Sequence, residues 1–109
     1  MSTIEQKDKI DAIGIDKETE ITILKIFDHL DWNDELNHLL LLQEKINSYL
    51  SFMESGEIYE AYPDSQDRKL MIQIDFLEKP SENAIKFLDT VSKIMNDAGF
   101  ELTYSISHL

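Results

Sequence analysis

The sequence contains no cysteine, only three glycines and two prolines, and no long uninterrupted apolar run. The absence of cysteine excludes disulfides, thiolate metal sites and cysteine nucleophiles. So few glycines leave no glycine-rich loop that could cradle a nucleotide phosphate. No segment approaches the ~18 consecutive apolar residues of a membrane span, and residues 1–9 are too polar for a signal sequence. We therefore expect a cytoplasmic location and no membrane partner.

Positive charge is also scarce, because ten Lys and Arg stand against 22 Asp and Glu, for a net charge of −12. Such a protein is repelled by nucleic acid and anionic lipid, so the expected macromolecular partners are cationic. Hydrophobic residues make up 42% of the 109 residues, which is enough for one core. We expect a single domain over 1–109, with 1–7 as a flexible tail.

Hydrophobic periodicity predicts an α+β fold. Strands are predicted at 9–15, 20–27, 57–62, 69–77 and 100–108, and amphipathic helices at 34–54 and 80–98. The order β-β-α-β-β-α-β predicts a two-layer sandwich, in which a five-stranded mixed, mainly antiparallel sheet carries two helices on one face. Since a helix joins the last two strands, these are expected to be parallel or near neighbours.

The first predicted helix has apolar side chains at three- and four-residue steps, which predict its core stripe: Leu36, Leu39, Leu40, Ile46, Tyr49, Leu50 and Met53. The block from Leu39 to Leu42 is apolar around a whole turn. It predicts that the helix packs against more than the sheet, either a second helix or a second subunit, which leaves a homodimer open.

One short segment is suited to chemistry, since residues 28–38 gather four carboxylates and two imidazoles: Asp28, His29, Asp31, Asp34, Glu35 and His38. Asp34 and His38 lie four apart on one helix face, close enough to share a divalent cation. The segment matches no zinc motif and lacks the glycine of a calcium loop. We favour a simpler interpretation, in which the acids cap a helix, His38 is on its solvated side and Trp32 pins the loop. We assign no catalytic, metal or cofactor residue.

The distribution of charge carries more information than any motif. Residues 26–67 contain ten acids and one base, Lys45, for a net charge of −9, which leaves −3 for the other 67 residues. A coherent negative surface steers a cationic partner, although it also serves as a plain solubility device. Aromatic side chains within a charged rim are typical of tight interfaces. The predicted partner-binding residues are Asp28, Asp31, Trp32, Asp34, Glu35, Glu57, Tyr59, Glu60, Tyr62 and Asp64.

Three stretches resemble a family of small bacterial proteins of unassigned function: Asp11-Ala-Ile-Gly-Ile-Asp16; Asp28-His-Leu-Asp-Trp32 followed by His38 and Leu39; and Leu42-Gln-Glu-Lys-Ile-Asn-Ser-Tyr-Leu50 leading to Glu54-Ser-Gly-Glu57. In size, acidity and layout such proteins are similar to the immunity proteins of bacterial toxin systems, which cover the active site of a toxin domain. The resemblance implies a class of function and names no catalytic residue.

The resulting hypothesis is a non-enzymatic protein of immunity type that neutralises a cationic toxin domain, such as a nuclease, by docking an acidic surface. Two alternatives stay open. One is a small metal-dependent enzyme or metal sensor built on Asp28, Asp31, Asp34 and His38. The other is a self-associating structural module.

Overall fold

The computed structural model describes residues 9–107 of the chain, so the predicted tail 1–7 and the end of the last predicted strand lie outside the described residues. Hydrogen-bonded elements follow in the order β1 (Ala12–Ile15), β2 (Thr22–Asp28), α1 (Glu35–Glu54), α2 (Glu57–Ala61), a 3-10 turn (Pro63–Ser65), β3 (Leu70–Phe76), α3 (Glu82–Asp97) and β4 (Glu101–Ile106). The α+β class is confirmed, and every predicted element but one is found close to its predicted position.

The sheet has four strands in the order β1-β2-β3-β4 within the described residues, rather than the predicted five. Only β1 and β2 are antiparallel, whereas β2 with β3 and β3 with β4 are parallel. The prediction of a mainly antiparallel sheet is therefore wrong. The reason is that a helix crosses over between each parallel pair, which returns the chain to the same end of the sheet. The predicted parallel relation of the last two strands is confirmed.

The predicted strand 57–62 is the element that the structure overturns, because these residues form the short helix α2. Gly56 enters it with φ of 84°, a left-handed conformation that glycine adopts without strain. Ile58 is the one buried side chain of the helix. A segment of only six residues fits either period, so its pattern alone does not separate a helix from a strand. The helix count within the described residues therefore rises from the predicted two to three.

One face of the sheet forms the core. Alternate residues of β2 and β3 are buried, and buried side chains from all three helices join them in one cluster. This arrangement supports the predicted two-layer sandwich, with the helices on one face. The buried members of α1 are His38, Leu42, Lys45, Ile46, Tyr49 and Met53. Leu36 and Leu40 are exposed, so the predicted stripe of this helix is wrong at those two positions.

The opposite face of the sheet carries half-buried side chains. Ile23, Lys25 and Phe27 of β2 alternate with its buried residues, and the strand register sets Lys25 beside Gln73 and Phe27 beside Asp75. None of the helices in residues 9–107 is long and apolar enough to span a membrane.

Candidate functional site

The segment between β2 and α1 is shaped by its own carboxylates. Asp28 accepts a hydrogen bond from the backbone N–H of Leu30, and Asp31 accepts one from that of Asn33. Asp34 is the N-cap of α1, and its side chain accepts from the N–H of Asn37. These bonds satisfy backbone donors that the end of a strand and the start of a helix leave free. The predicted capping role of the acids is confirmed for Asp34.

Asp28 and His38 form a buried pair beneath this loop. Nε2 of His38 lies 2.5 Å from Oδ2 of Asp28, and both side chains are almost wholly excluded from solvent. Nδ1 of His38 lies 2.9 Å from the backbone carbonyl oxygen of Asp31. A carbonyl oxygen accepts only, so Nδ1 carries a hydrogen and donates it. The contact between Nε2 and Oδ2 then holds one further proton. The prediction that His38 is on the solvated side of the helix is wrong.

Burial raises the pKa of Asp28 above its usual value, although the hydrogen bond and the charge of His38 act in the opposite direction. Trp32 covers the pair, because its ring stacks on the His38 ring with centroids 3.6 Å apart and planes 18° from parallel. The Trp32 ring also lies against Phe76 in the core, as the predicted role of pinning the loop requires. The pair is thus a sealed connection between β2 and α1.

The metal-site alternative finds little support in this geometry. Both ring nitrogens of His38 already have hydrogen-bond partners, and the carboxylates of Asp31 and Asp34 bind backbone N–H groups of the loop and helix. No group of three or more His, Cys, Asp or Glu side chains within residues 9–107 is arranged to hold a metal ion. An ion at this position would have to displace the hydrogen bonds that form the loop.

The predicted partner-binding residues fall into three places rather than one. Asp28 is buried in the pair with His38 and Trp32 is stacked on it. Asp31, Asp34 and Glu35 lie around the start of α1. The other five lie beyond its end: Glu57, Tyr59, Glu60, Tyr62 and Asp64. Since α1 has 20 residues, its length of about 30 Å separates the two exposed groups.

Glu35 connects the two long helices. Its Oε1 accepts a hydrogen bond from the Nδ2 of Asn83 at 3.0 Å. Hydrogen bonds from Ser81 and from Asn83 hold the pKa of Glu35 below its usual value. Asp31 and Asp34 are exposed beside it. Glu35 therefore contributes negative charge at this end of the molecule and also fixes the start of α1 against the start of α3.

The segment after α1 carries a denser array of carboxylates, which we call the α2 acidic surface: Glu57, Glu60, Asp64 and Asp67. All four side chains are exposed, and none is in an ion pair with another described residue. Tyr59 and Tyr62 are half-buried among them, and Tyr59 packs against the core. Arg68 is the nearest base in sequence, and its Nε donates to the backbone carbonyl of Asp64 at 2.8 Å. That contact is to the backbone, and the Asp64 carboxylate has no ion-pair partner among residues 9–107.

The single base of the acidic stretch does not reach the surface. Nζ of Lys45 lies 2.8 Å from Oδ1 of Asp11, and both side chains are fully buried. Oδ2 of Asp11 accepts from the N–H of Phe27, while the hydroxyl of Tyr49 accepts from the N–H of Asp11 and donates to the carbonyl of Lys25. Sequence reasoning missed this cluster, since a lysine between a glutamate and an isoleucine is typical of a solvated position.

A groove of about 500 Å³ lies on the helix-free face of the sheet, and sequence reasoning missed it as well. Asp75 lines this groove and accepts from the Oγ of Ser105 at 2.8 Å, from Nε2 of Gln73 at 3.0 Å and from Nζ of Lys25 at 3.3 Å. Burial alone would raise the pKa of Asp75, but these three hydrogen bonds and the Lys25 charge outweigh it, so the pKa is lowered. The polar positions alternating with apolar ones in β3 were the available signal.

The chain belongs to a family of unknown function, DUF6572, whose family model matches residues 1–108. The predicted resemblance to a family without an assigned function is confirmed at that level. No match was found among curated proteins. No solved structure matches either.

Proposed function

We propose that this member of the family is a non-enzymatic binding protein of immunity type, which docks on a cationic protein through its acidic surface. The observation that carries the proposal is the α2 acidic surface, whose four exposed carboxylates have no ion-pair partner among residues 9–107. Clustered like charges destabilise a fold by mutual repulsion. Their concentration in one segment is therefore explained better by an external cation than by stability.

The burial of Lys45 strengthens this argument. Residues 26–67 contain ten acids and no other base, and Lys45 is neutralised inside the fold by Asp11. Residues 26–67 consequently contribute carboxylates and no lysine or arginine to the surface, although Arg68, bonded to the Asp64 carbonyl, borders the stretch. Such a surface accelerates the encounter with an oppositely charged protein by about 10 to 10³-fold, and salt screens the effect.

The chemistry of the surface indicates the class of partner. A protein that binds nucleic acid uses lysine and arginine to contact phosphates. Carboxylates can occupy the positions of those phosphates, so an acidic protein can cover the substrate-binding surface of a nuclease. We therefore propose a toxin domain with a basic active-site surface, such as a nuclease, as the partner. The half-buried Tyr59 and Tyr62 supply aromatic contacts within the acidic rim.

Charge reversal of Glu57, Glu60 and Asp64 tests the proposal. The partner is first isolated as the basic polypeptide that the immobilised protein retains from a host lysate at low salt. Association and dissociation rates are then measured at about 50 mM and about 500 mM NaCl, where screening differs strongly. The matched control reverses three exposed carboxylates elsewhere: Glu78, Asp89 and Asp97. Each variant changes the net charge by the same amount, from −12 to −6.

We expect the first variant to associate at least about tenfold more slowly than the control at low salt, and the difference to shrink at high salt. Equal rates for the two variants would contradict docking through the α2 acidic surface, even with a partner in hand. The proposed function itself would be contradicted if the wild type retained no more basic polypeptide from the lysate than the variant with Glu57, Glu60 and Asp64 reversed.

A further inference from the structure

Two exposed leucines lie side by side on the outer face of α1. Leu36 is 81% exposed and Leu40 is 53% exposed. Residues four apart are neighbours on a helix, so the two side chains form a short apolar ridge. Isolated exposed leucines are common on protein surfaces. Adjacent ones on the same helix face are the kind of feature that a partner covers.

The ridge is not a misplaced part of the core. The buried side of α1 is occupied along its length by the side chains from His38 to Met53, which pack on the sheet. At 100° per residue, Leu36 and Leu40 point away from that side, whereas Leu39 and Leu41 flank it and are half-buried. Neither Leu36 nor Leu40 belongs to the hydrophobic cluster or packs against it. The fold therefore gains little from these two leucines.

The surroundings of the ridge are acidic and polar. Glu44 follows Leu40 by four residues and so continues the same ridge. The exposed amides of Asn37 and Gln43 lie beside it. Lys45, the one basic residue of α1, is buried with Asp11 and contributes no positive charge to this surface. Two copies meeting through this face would bring carboxylates together, which is unfavourable in a chain of net charge −12.

We propose that Leu36 and Leu40, continued along the same ridge by the carboxylate of Glu44, bind an amphipathic helix whose apolar stripe is flanked by lysine or arginine. The apolar ridge packs into the groove of the incoming helix, and the Glu44 carboxylate pairs with a basic residue beside its apolar stripe. This inference deepens the proposed function by adding a second, apolar contact near the start of α1 and by naming the secondary structure of the segment that binds there. The inference depends on the proposed function only where it concerns the natural partner. The binding test itself does not depend on that function, because it uses a synthetic peptide.

The probe is a synthetic helical peptide of about 18 residues, or five turns, with a leucine stripe and lysines on both flanks. A second peptide of equal charge has alanine in place of leucine. The variant is Leu36→Gln with Leu40→Gln, which keeps good helix formers at two exposed positions. The control variant is Ile94→Gln on α3, since Ile94 is 59% exposed and lies on another helix. Affinities are measured by calorimetry, and the binding face is mapped by amide NMR shifts.

We expect the leucine–lysine peptide to shift amides in the first half of α1 and to bind the double variant roughly tenfold more weakly or worse. The alanine–lysine peptide should bind wild type and the double variant equally, and Ile94→Gln should change neither affinity. Unchanged affinity of the double variant for the leucine–lysine peptide would overturn the inference, as would shifts confined to other elements. The inference would also be overturned if the wild type were a dimer that the double substitution dissociates. In that case a second copy of this chain covers the two leucines.

The two proposals fail separately. Reversal of the α2 acidic surface tests the proposed function through the association rate of the natural partner. Leu36 and Leu40 are tested through the peptide, which needs no natural partner. Loss of peptide binding in the double variant, together with an unaffected natural complex, would refute this surface as the site for the natural partner and leave the α2 acidic surface standing.

Discussion

Substitution of Asp28 tests whether the buried pair of Asp28 and His38 stabilises the fold through a shared proton. Asp28→Asn preserves the shape of the side chain, whereas Asp28→Ala removes it. In the wild type, Asp28 accepts from the N–H of Leu30 at 3.1 Å and contacts Nε2 of His38 at 2.5 Å. Asparagine can keep both contacts, because its Oδ1 accepts from Leu30 and its Nδ2 donates to the free lone pair of His38.

The magnitudes follow from which hydrogen-bonding groups lose their partners. Asp28→Asn leaves both Nε2 of His38 and the N–H of Leu30 with a hydrogen-bond partner, so we expect the free energy of unfolding to fall by less than about 1 kcal/mol. Asp28→Ala leaves Nε2 of His38 and the N–H of Leu30 without partners, at about 1–3 kcal/mol each. The sum of about 2–6 kcal/mol is comparable to the whole stability of a small domain, about 5–15 kcal/mol.

The wild type and Asp28→Asn also differ in how their stability responds to pH. Because burial raises the pKa of Asp28, the folded state keeps a proton that the unfolded chain has released. Wild-type stability therefore falls as pH rises above the usual carboxyl value, by up to about 1.4 kcal/mol per pH unit across the window. Asparagine does not titrate, so the stability difference should move in favour of Asp28→Asn as pH rises.

Urea denaturation of wild type and both variants from about pH 4 to about pH 8 measures these differences. Parallel stability curves for wild type and Asp28→Asn across that range would refute the shared proton. A loss below about 1 kcal/mol in Asp28→Ala would refute the reasoning from orphaned buried groups.

Two further predictions concern the second buried cluster and the groove. Tyr49→Phe removes a hydroxyl that bonds backbone groups of Asp11 and Lys25, and we expect about 1–3 kcal/mol of destabilisation by urea denaturation; an unchanged midpoint would contradict that role. Since the pKa of Asp75 is lowered, its contribution to stability is complete above the usual carboxyl value and is lost as pH falls through the folded-state pKa. Wild type should accordingly lose its stability advantage over Asp75→Asn in acid, and equal acid unfolding of the two proteins would refute this.

Much of the fold could be predicted because several elements combine a clear period with clear ends. Helix α1 lies within one residue of its predicted start, since Asp34 caps it and Ser55 and Gly56 end it. β3 alternates apolar and polar residues throughout, and its bounds differ from the predicted ones by a residue. The segment 57–62 has neither a clear period nor a strong N-cap, so it was assigned wrongly.

The candidate site was predictable only in part. The sequence indicated the Asp28 to His38 segment and the acidic excess of 26–67, because both are local in the chain. It did not indicate that α1 separates the start of that stretch from the α2 acidic surface. Nor did it indicate the groove around Asp75, whose donors come from three strands. Contacts between distant residues leave no spacing signal in a single chain.

The sequence by itself determined the net charge, the α+β class and the bounds of the long helices to within two residues, because composition and local periodicity suffice for these. Only the tertiary structure decided which charges remain on the surface. It buried Lys45 with Asp11 and His38 with Asp28, and it left Leu36 and Leu40 exposed. The physical reason is that packing selects one side of α1 for the core. The side that carries Leu42, Ile46, Tyr49 and Met53 packs on the sheet. His38 and Lys45 lie on that same side and are buried with it, because each has a hydrogen-bond partner inside the fold.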